Sequence, residues 1–173
     1  MAKIAFEKLR IVIVGDNVHM RCIVRSLLRA FGSREIYEAE NGASGLKTLE
    51  SYSPDILITD IKMPIFDGIE LIEMIRNPDG SKFSFLPIIV LSAYSEKKFV
   101  VQARDAGVSE FLCKPVSASI LYERIQNVIE NPRRYVKTRN YFGPDRRRFD
   151  DPNYVGSDRR ETSDETFVVD TIS

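Results

Sequence analysis

Four polar residues that follow short apolar runs have types that could do chemistry together. They are Asp16, Asp60, Ser92 and Lys114, which come after the runs IVIVG, DILIT, PIIVL and EFLC. In a parallel α/β sheet the carboxyl ends of the strands meet along one edge, where ligands bind. Two carboxylates, a hydroxyl and an ammonium would therefore converge there. This set suits phosphoryl transfer, in which acids hold a divalent cation, one aspartate is the nucleophile, and the hydroxyl and ammonium receive the phosphoryl group.

The elements that would position these residues alternate regularly along the chain. Predicted strands cover residues 9–14, 36–39, 54–60, 87–92 and 108–113. Predicted helices cover 18–31, a stretch that opens at Asn41-Gly42, 67–77, 96–106, and a stretch between Ser117 and Asn131. Gly32 is expected to end the first helix, and Asp67 and Ser117 to cap the third and fifth. Strict alternation predicts right-handed crossovers and a parallel sheet with helices on both faces.

Composition and charge are those of an ordinary globular protein. The 173 residues carry 25 basic and 25 acidic side chains, so no net charge draws the chain to nucleic acid or membrane. No apolar run approaches the roughly 20 residues of a membrane span, and the N-terminus lacks a signal peptide's apolar stretch. Cys22 and Cys113 fit neither a metal motif nor a disulfide framework, and we expect Cys113 to be buried. These features predict a reduced, cytoplasmic protein.

The periodic pattern ends at Pro132, which divides the chain in two. We expect one domain over residues 7–131 and a C-terminal extension over 132–173, mostly extended and partly or wholly disordered. The extension repeats a short motif, YFGPDRR at 141–147 and YVGSDRR at 154–160. Forked arginine donors beside rigid tyrosines suit carboxylate or phosphate partners, and the candidate partner-binding residues are Tyr141, Arg146, Arg147, Tyr154, Arg159 and Arg160.

Four pieces of the sequence occur in the order and at the spacing of a known family. They are IVIVGDN, DILITDIKMPIFDG, PIIVLSAYS and FLCKPVS. With them, residues 9–131 resemble the receiver domain of bacterial two-component response regulators. The resemblance implies a doubly wound (βα)5 fold with the strand order 2-1-3-4-5. The extension that follows is expected to be largely irregular.

The resemblance also implies a role for each residue of the predicted site. Asp60 matches the phospho-acceptor, which takes a phosphoryl group from a sensor histidine kinase or a phosphotransfer protein. Asp16, Asp60 and the backbone carbonyl of Lys62 match the protein ligands of Mg²⁺. Ser92 and Lys114 match the groups that bind the phosphoryl oxygens. The alternative is structural: the aspartates and the serine only cap turns or helices, and the lysine is an ordinary surface residue.

Further positions match the family's switch and its control of phosphoryl loss. Phe111 matches an aromatic that, with Ser92, transmits phosphorylation to the face formed by the fourth helix, fifth strand and fifth helix. A plain core role is the alternative for Phe111. Lys62 and Tyr94 match positions that tune loss of the phosphoryl group, and the bulk of Tyr94 predicts slow loss. Lys114 precedes a proline, so a cis peptide bond is accessible there.

Gly15 is the main departure from the family. A second acidic residue usually stands at this position and reaches the metal through water. Its absence leaves the site one negative charge poorer, so we expect Mg²⁺ binding to weaken by about 1 kcal/mol rather than to be abolished.

These observations lead to three functional hypotheses. The first is a single-domain response regulator, not a turnover enzyme, in which phosphorylation switches contact with an unknown downstream protein or a homodimer through the switch face. The second is a phosphorylation-independent pseudo-receiver that acts as an adaptor, which Gly15 favours. The third is a nucleic-acid-binding regulator that uses the extension, although the acidic residues beside each arginine pair disfavour nucleic acid as a partner. The extension could also be solvated without a partner, or fold back onto the receiver.

Overall fold

All five predicted strand–helix units are present in the computed structural model, which describes residues 4–146 and the backbone of residues 165–167. After a short 3₁₀ helix (Phe6–Lys8) come β1 (Arg10–Val14), α1 (Val18–Phe31), β2 (Glu35–Ala39), α2 (Gly42–Tyr52), β3 (Ile56–Asp60), α3 (Gly68–Arg76), β4 (Ile88–Ser92), α4 (Lys97–Ala106), β5 (Glu110–Cys113) and α5 (Ala118–Glu130). The extension adds β6 (Tyr135–Thr138), β7 (Tyr141–Pro144) and β8 (Glu165–Phe167). Within the described part of the chain, no helix has the length and hydropathy that crossing a membrane requires.

The first five strands form one parallel sheet in the order β2-β1-β3-β4-β5, as predicted. Val14 pairs with Thr59, Asp60 with Leu91, and Ser92 with Cys113. The last residues of neighbouring strands therefore stand side by side. This register brings the loops that leave β1, β3, β4 and β5 to one edge of the sheet.

Two apolar cores lie on opposite faces of this sheet. The strands are aliphatic along nearly their whole length because both of their faces are covered. One face packs against α1 and α5 through residues such as Val24, Leu28, Leu121 and Ile125. The other packs against α2, α3 and α4 through residues such as Leu49, Leu71, Ile72 and Ala103. The sheet is thus held rigidly beneath the loops at its carboxyl edge.

Side-chain caps fix where the helices begin after the strands. The side chain of Asn17 accepts a hydrogen bond from the backbone of α1, and those of Asp67 and Ser117 accept bonds from α3 and α5. Gly32 ends α1 in the left-handed conformation, at φ +106. The predictions for Gly32, Asp67 and Ser117 are confirmed. Because three of these caps directly follow the site loops, they also fix the length of those loops.

Part of the extension folds back onto the receiver, which is one of the options that the sequence leaves open. β6 and β7 form an antiparallel hairpin, and β8 pairs with the other edge of β6. The sequence does not predict these strands, because they are only three or four residues long and alternate little. The rings of Tyr135 and Phe142 pack against Phe85, in the loop before β4, with centroid distances of 5.0 and 5.2 Å.

Candidate functional site

Asp60 and Lys114 form an ion pair at the carboxyl edge of the sheet. Asp60 is the last residue of β3, and Lys114 directly follows β5. The Lys114 ammonium contacts Oδ2 of Asp60, and the two side chains are only 21% and 12% exposed. The backbone amide of Lys114 also donates to the carbonyl of Ser92, 2.8 Å away. A carboxylate that is held beside a cation in a shielded site is prepared to accept an anionic group.

Ser92 lies at the end of β4, beside this pair in the sheet. It is 1% exposed, and its Oγ accepts a hydrogen bond of 3.0 Å from the backbone amide of Tyr94. Because the hydroxyl oxygen is the acceptor in this bond, the bond fixes its position without using its proton. The hydroxyl proton is then available for an acceptor on the loop side of the sheet, such as a phosphoryl oxygen.

The end of β1 comes close to Asp60. The Gly15 amide donates to the Ala39 carbonyl at 3.0 Å, which continues the β1–β2 pairing. A Cβ added to Gly15 would lie 3.7 Å from the Cβ of Asp60, an ordinary contact. Asp16 is exposed at this edge. Asp16 thus follows the strand next to that of Asp60 and is open to solvent, and an acidic side chain at position 15 would fit sterically.

Arg21 on α1 approaches the position of the missing acid. Its guanidinium donates to the Gly15 carbonyl and, through Nε, to Glu38 at 3.1 Å. Glu38 also pairs with Arg25, and this contact raises the pKa of the Arg25 guanidinium. Sequence reasoning missed Arg21. The only signal was a basic residue one turn after the cap at Asn17.

Gly68 is a second residue that sequence reasoning missed. The loop from β3 to α3 turns so tightly that a Cβ at Gly68 would lie 2.0 Å from the backbone oxygen of Asp60. The Gly68 amide donates to the Ile61 carbonyl at 2.7 Å. A glycine directly after the helix cap Asp67 was the available signal. Gly68 thereby lets α3 begin close to Asp60.

Lys62 and Tyr94, predicted to flank the site, contact each other. The Lys62 ammonium lies 4.2 Å from the centroid of the Tyr94 ring and 5.3 Å from that of Phe99. The two rings are 4.9 Å apart. This Lys62–Tyr94–Phe99 cluster joins the loop after β3 to the start of α4, near the end of β3 that carries Asp60.

Other predicted residues have mixed outcomes. Phe111 is half-buried and packs against the core on the α3–α4 side, which is compatible with either role that the sequence left open. The Lys114–Pro115 peptide bond is cis. The prediction that Cys113 is buried is wrong: as the last residue of β5 it is exposed.

The partner-binding candidates of the extension are described only in part. Arg146 lies over the ring of Tyr141, 4.1 Å from its centroid, and pairs with Asp105 at 3.3 Å. Tyr141 donates through its hydroxyl to the Pro144 carbonyl at 2.7 Å. The other four candidates, Arg147, Tyr154, Arg159 and Arg160, lie outside the described residues.

The residues at the carboxyl edge fit Mg²⁺ only as a minimal site. Among the described residues, no group of three or more His, Cys, Asp or Glu side chains could enclose a metal ion. Mg²⁺, however, commonly takes one or two carboxylates and completes its shell with water and phosphate oxygens. Asp60, at the end of β3, and Asp16, just after the neighbouring β1, are carboxylates that would supply this share.

Comparisons with known proteins agree with this fold. The response regulator receiver domain family matches residues 11–126. The chain is 34% identical over 122 residues to the chemotaxis protein CheY of Pseudomonas aeruginosa PAO1, covering 70% of this chain and 97% of CheY. It is 33% identical over 130 residues to CheY-3 of Vibrio cholerae, covering 75% of this chain and 98% of CheY-3. It is 38% identical over 120 residues to the sensor histidine kinase TmoS of Ectopseudomonas mendocina, covering 69% of this chain but only 12% of the kinase.

A solved structure supports the same assignment. A protein from Chloroflexus aurantiacus J-10-fl, described as a response regulator, superposes with a TM-score of 0.64 at 28% identity, covering 69% of this chain and 96% of that one. The chain belongs to the response regulator receiver domain family. Members of this family are the phosphoryl-accepting signalling domains of two-component systems. They interact with histidine kinases or phosphotransfer proteins, and they generally bind Mg²⁺ at the acidic phosphorylation site.

Proposed function

We propose that this protein is a single-domain response regulator that accepts a phosphoryl group on Asp60 from a phosphohistidine donor. The observation that carries the proposal is the shielded ion pair between Asp60 and Lys114, with the buried Ser92 hydroxyl beside it. An aspartate with only a structural role would not need both a cation and an oriented hydroxyl beside it. Together these groups form a binding site for an anionic group.

The chemistry requires little more than positioning and charge neutralisation. A carboxylate oxygen of Asp60 attacks the phosphorus of the donor phosphohistidine. A P–O bond forms while the P–N bond breaks, and the electron pair of the broken bond stays on the imidazole, which takes up a proton. The Lys114 ammonium moves from the Asp60 carboxylate to pair with the phosphoryl oxygens. The Ser92 hydroxyl donates a hydrogen bond to one of these oxygens.

Asp16, Asp60 and the backbone carbonyl of Lys62 would hold Mg²⁺. The ion supplies neutralisation of the phosphoryl charge when it is bound. Gly15 leaves this set one charge short, and the Arg21 guanidinium beside Gly15 adds a cation at the same end of the site. We therefore expect weaker Mg²⁺ binding than in receivers that carry the second acid.

The Lys62–Tyr94–Phe99 cluster bears on the lifetime of the phosphoryl state. A water that hydrolyses the acyl phosphate must approach the phosphorus opposite the aspartyl oxygen, past the residues that flank the site. Tyr94 and the lysine above its ring occupy one of these flanks. We expect them to slow hydrolysis, so that the phosphoryl state of the intact protein outlasts seconds.

Exposed apolar side chains around the same edge favour a protein as the donor. Val18 opens α1, Ile65 lies in the loop after β3, and Ile120 lies in the first turn of α5. They are 57%, 104% and 47% exposed. Ile65 also has φ +72, a strained conformation for a β-branched residue. Apolar residues presented around a reactive centre suit contact with a donor domain.

The output of the switch is a change of protein–protein contact. The face formed by α4, β5 and α5 includes Phe111 and continues directly from the site through Ser92 and Lys114. A downstream protein or a second copy of this chain would bind that face.

The test is the mass of the intact protein after incubation with a small phosphodonor such as acetyl phosphate, with and without Mg²⁺. We expect wild type to gain one phosphoryl group in Mg²⁺, and Asp60→Asn to gain none.

A second experiment tests the apolar surface that would contact the donor protein. The variant Ile65→Asn removes the apolar side chain but places there a residue that tolerates positive φ. It should slow transfer from a phosphorylated kinase domain and leave uptake from acetyl phosphate unchanged. Equal slowing with both donors would contradict the role of Ile65.

A second candidate function is a pseudo-receiver that binds its partner without phosphorylation. Gly15, with Arg21 donating to its carbonyl, is the observation that favours it. In that case Asp60→Asn would leave partner binding unchanged, and wild type would gain no phosphoryl group at any Mg²⁺ concentration.

A further inference from the structure

The helix α4 is weakly anchored by its own side chains. Its buried residues are two alanines, Ala103 and Ala106, whereas α3 buries six residues. The residue before it, Glu96, makes no side-chain cap for its first turn. Since the hydrophobic contribution scales with the apolar area removed from water, two alanines contribute little. The position of α4 therefore depends on what holds its ends.

The C-terminal end of α4 is held by the β6–β7 hairpin. Gly107, which ends the helix at φ +101, lies against β7. A Cβ added to Gly143 would stand 3.0 Å from the Gly107 Cα, and one added to Gly107 would stand 3.1 Å from the Phe142 carbonyl oxygen. A Cβ added to Gly143 would also stand 2.7 Å from the Tyr141 hydroxyl oxygen, so a side chain at either glycine would crowd this junction.

A buried arginine fastens the same end to α3. Arg76, the last residue of α3, is 3% exposed. Its Nε donates to the Gly107 carbonyl at 2.8 Å, and its Nη1 donates to the carbonyls of Ser84 and Leu86 at 2.9 and 2.7 Å. The guanidinium carbon lies 5.3 Å from the centroid of the Tyr135 ring on β6. Burial lowers the pKa of this guanidinium, and the nearby tyrosines oppose the shift.

Residues of the repeated motif complete the contact. Arg146 pairs with Asp105 in the last turn of α4, 3.3 Å away, while it covers the Tyr141 ring. The first copy of the motif therefore contributes Tyr141, Gly143 and Arg146 to the junction. These three residues recur in the second copy as Tyr154, Gly156 and Arg159.

The opposite end of α4 faces the acceptor site. Phe99, in the first turn of α4, packs against the ring of Tyr94, and the Lys62 ammonium lies over that ring. The ten residues of α4 span about 15 Å at the usual helical rise. A short helix with a small buried surface thus connects the hairpin at the amino edge of the sheet to the acceptor at the carboxyl edge.

We propose that the hairpin formed by residues 135–146 is a clamp on the C-terminal end of α4, and that phosphorylation of Asp60 and release of this clamp are coupled through the helix. The clamp holds α4 in the arrangement in which Lys114 binds the Asp60 carboxylate. A phosphoryl group draws Lys114 and Ser92 to itself, and α4, which follows Ser92, shifts with them. Because coupling between two sites is reciprocal, releasing the clamp eases phosphorylation, and phosphorylation loosens the hairpin. This second half rests on the proposed function, whereas the clamp itself does not.

The clamp is tested by amide hydrogen exchange of the full chain with Gly143→Ala, whose new methyl group would crowd both the Tyr141 hydroxyl and the Gly107 backbone and so disturb the junction. We expect exchange in residues 97–106 to rise about tenfold while that of α2 stays unchanged. The matched control is Gly156→Ala, the same substitution at the same position of the second copy, which should leave α4 as in wild type. Unchanged exchange in α4 with Gly143→Ala, or equal changes with both variants, would overturn the clamp.

The coupling is tested on the same proteins with acetyl phosphate and Mg²⁺. Gly143→Ala should take up the phosphoryl group about fivefold faster than wild type and Gly156→Ala, a typical allosteric factor. Phosphorylated wild type should show faster exchange in residues 135–144 than Asp60→Asn treated identically. Loosened α4 without faster uptake would overturn the coupling. If wild type gained no phosphoryl group, the proposed function would fall and the coupling with it, while the exchange data alone would decide the clamp.

Discussion

At the carboxyl edge of the parallel sheet, Asp60, Ser92 and Lys114 lie at or directly after strand ends; Asp60 and Lys114 keep partial exposure, and the buried Ser92 lies beside them. At the amino edge, Arg76 and Glu110 are charged residues that are 3% and 1% exposed and are covered by the extension. Glu110 is held by Asn127 at 2.6 Å, Arg133 at 3.2 Å and Arg124 at 3.4 Å. The charged groups at the first edge are placed to bind a ligand, whereas those at the second are bound mainly by groups of the chain itself, although Nη2 of Arg76 has no hydrogen-bond partner. We therefore expect substitution of Asp60, Ser92 or Lys114 to change chemistry directly, and substitution of the buried charges Arg76 and Glu110 to change mainly stability.

The largest effect on stability is expected for Arg76→Met at the amino edge. Methionine fills similar space but leaves three buried carbonyl groups without their donor, which should cost about 3 kcal/mol in the free energy of unfolding. Thermal unfolding would then fall by roughly 6 to 12 °C. Arg104→Met, at a half-exposed arginine of α4, is the control and should cost less than about 0.5 kcal/mol. Equal losses for the two variants would show that burial of Arg76 is not what matters.

The largest effect on chemistry is expected for Lys114→Gln at the carboxyl edge. Glutamine keeps a hydrogen-bond donor but removes the positive charge, so phosphoryl uptake from acetyl phosphate should slow about 100-fold. The free energy of unfolding should change less than in Arg76→Met, because the glutamine amide can still donate a hydrogen bond to Asp60. A time course of intact mass measures the rate, and urea unfolding measures the stability. If Lys114→Gln lost stability but kept the wild-type rate of phosphoryl uptake, Lys114 would serve stability and not chemistry, which would contradict the expected difference between the two edges.

A smaller gain is expected for Gly15→Asp. The added side chain has room beside Asp60, and its negative charge should tighten Mg²⁺ binding about fivefold. The control Gly15→Asn adds the same shape without the charge. The Mg²⁺ concentration that gives half-maximal phosphorylation rate separates the two variants. If asparagine matched aspartate, the missing charge would not be what weakens the site.

The smallest effect is expected for Tyr94→Ala, which removes the ring beneath Lys62. Hydrolysis of the phosphoryl group should accelerate about threefold. The corresponding change in activation free energy is about a quarter of the change expected for phosphoryl uptake in Lys114→Gln. Decay of the phosphorylated mass after the donor is removed gives the rate. Tyr37→Ala, which removes a ring stacked on Tyr52 away from the acceptor, is the control and should leave decay unchanged.

The two edges also differed in how well the sequence predicted them. The order of the sheet follows from alternating strands and helices together with the family resemblance, and the acceptor set follows from its position after apolar runs. The burial of Arg76 could not be predicted from the sequence. Its partners at 84, 86 and 107 are backbone carbonyls, which any residue type provides. Tyr135 and Phe142 pack onto Phe85 across the chain, and their strands are too short to show periodicity. Cys113 was misjudged because β5 ends at the open edge, where the last side chain leaves the core.

The most direct test of the central claim is the intact mass of wild type and Asp60→Asn after treatment with acetyl phosphate, with and without Mg²⁺. The account predicts one added phosphoryl group in wild type that requires both Mg²⁺ and Asp60. No added mass in wild type at high Mg²⁺, or the same added mass in Asp60→Asn, would contradict it.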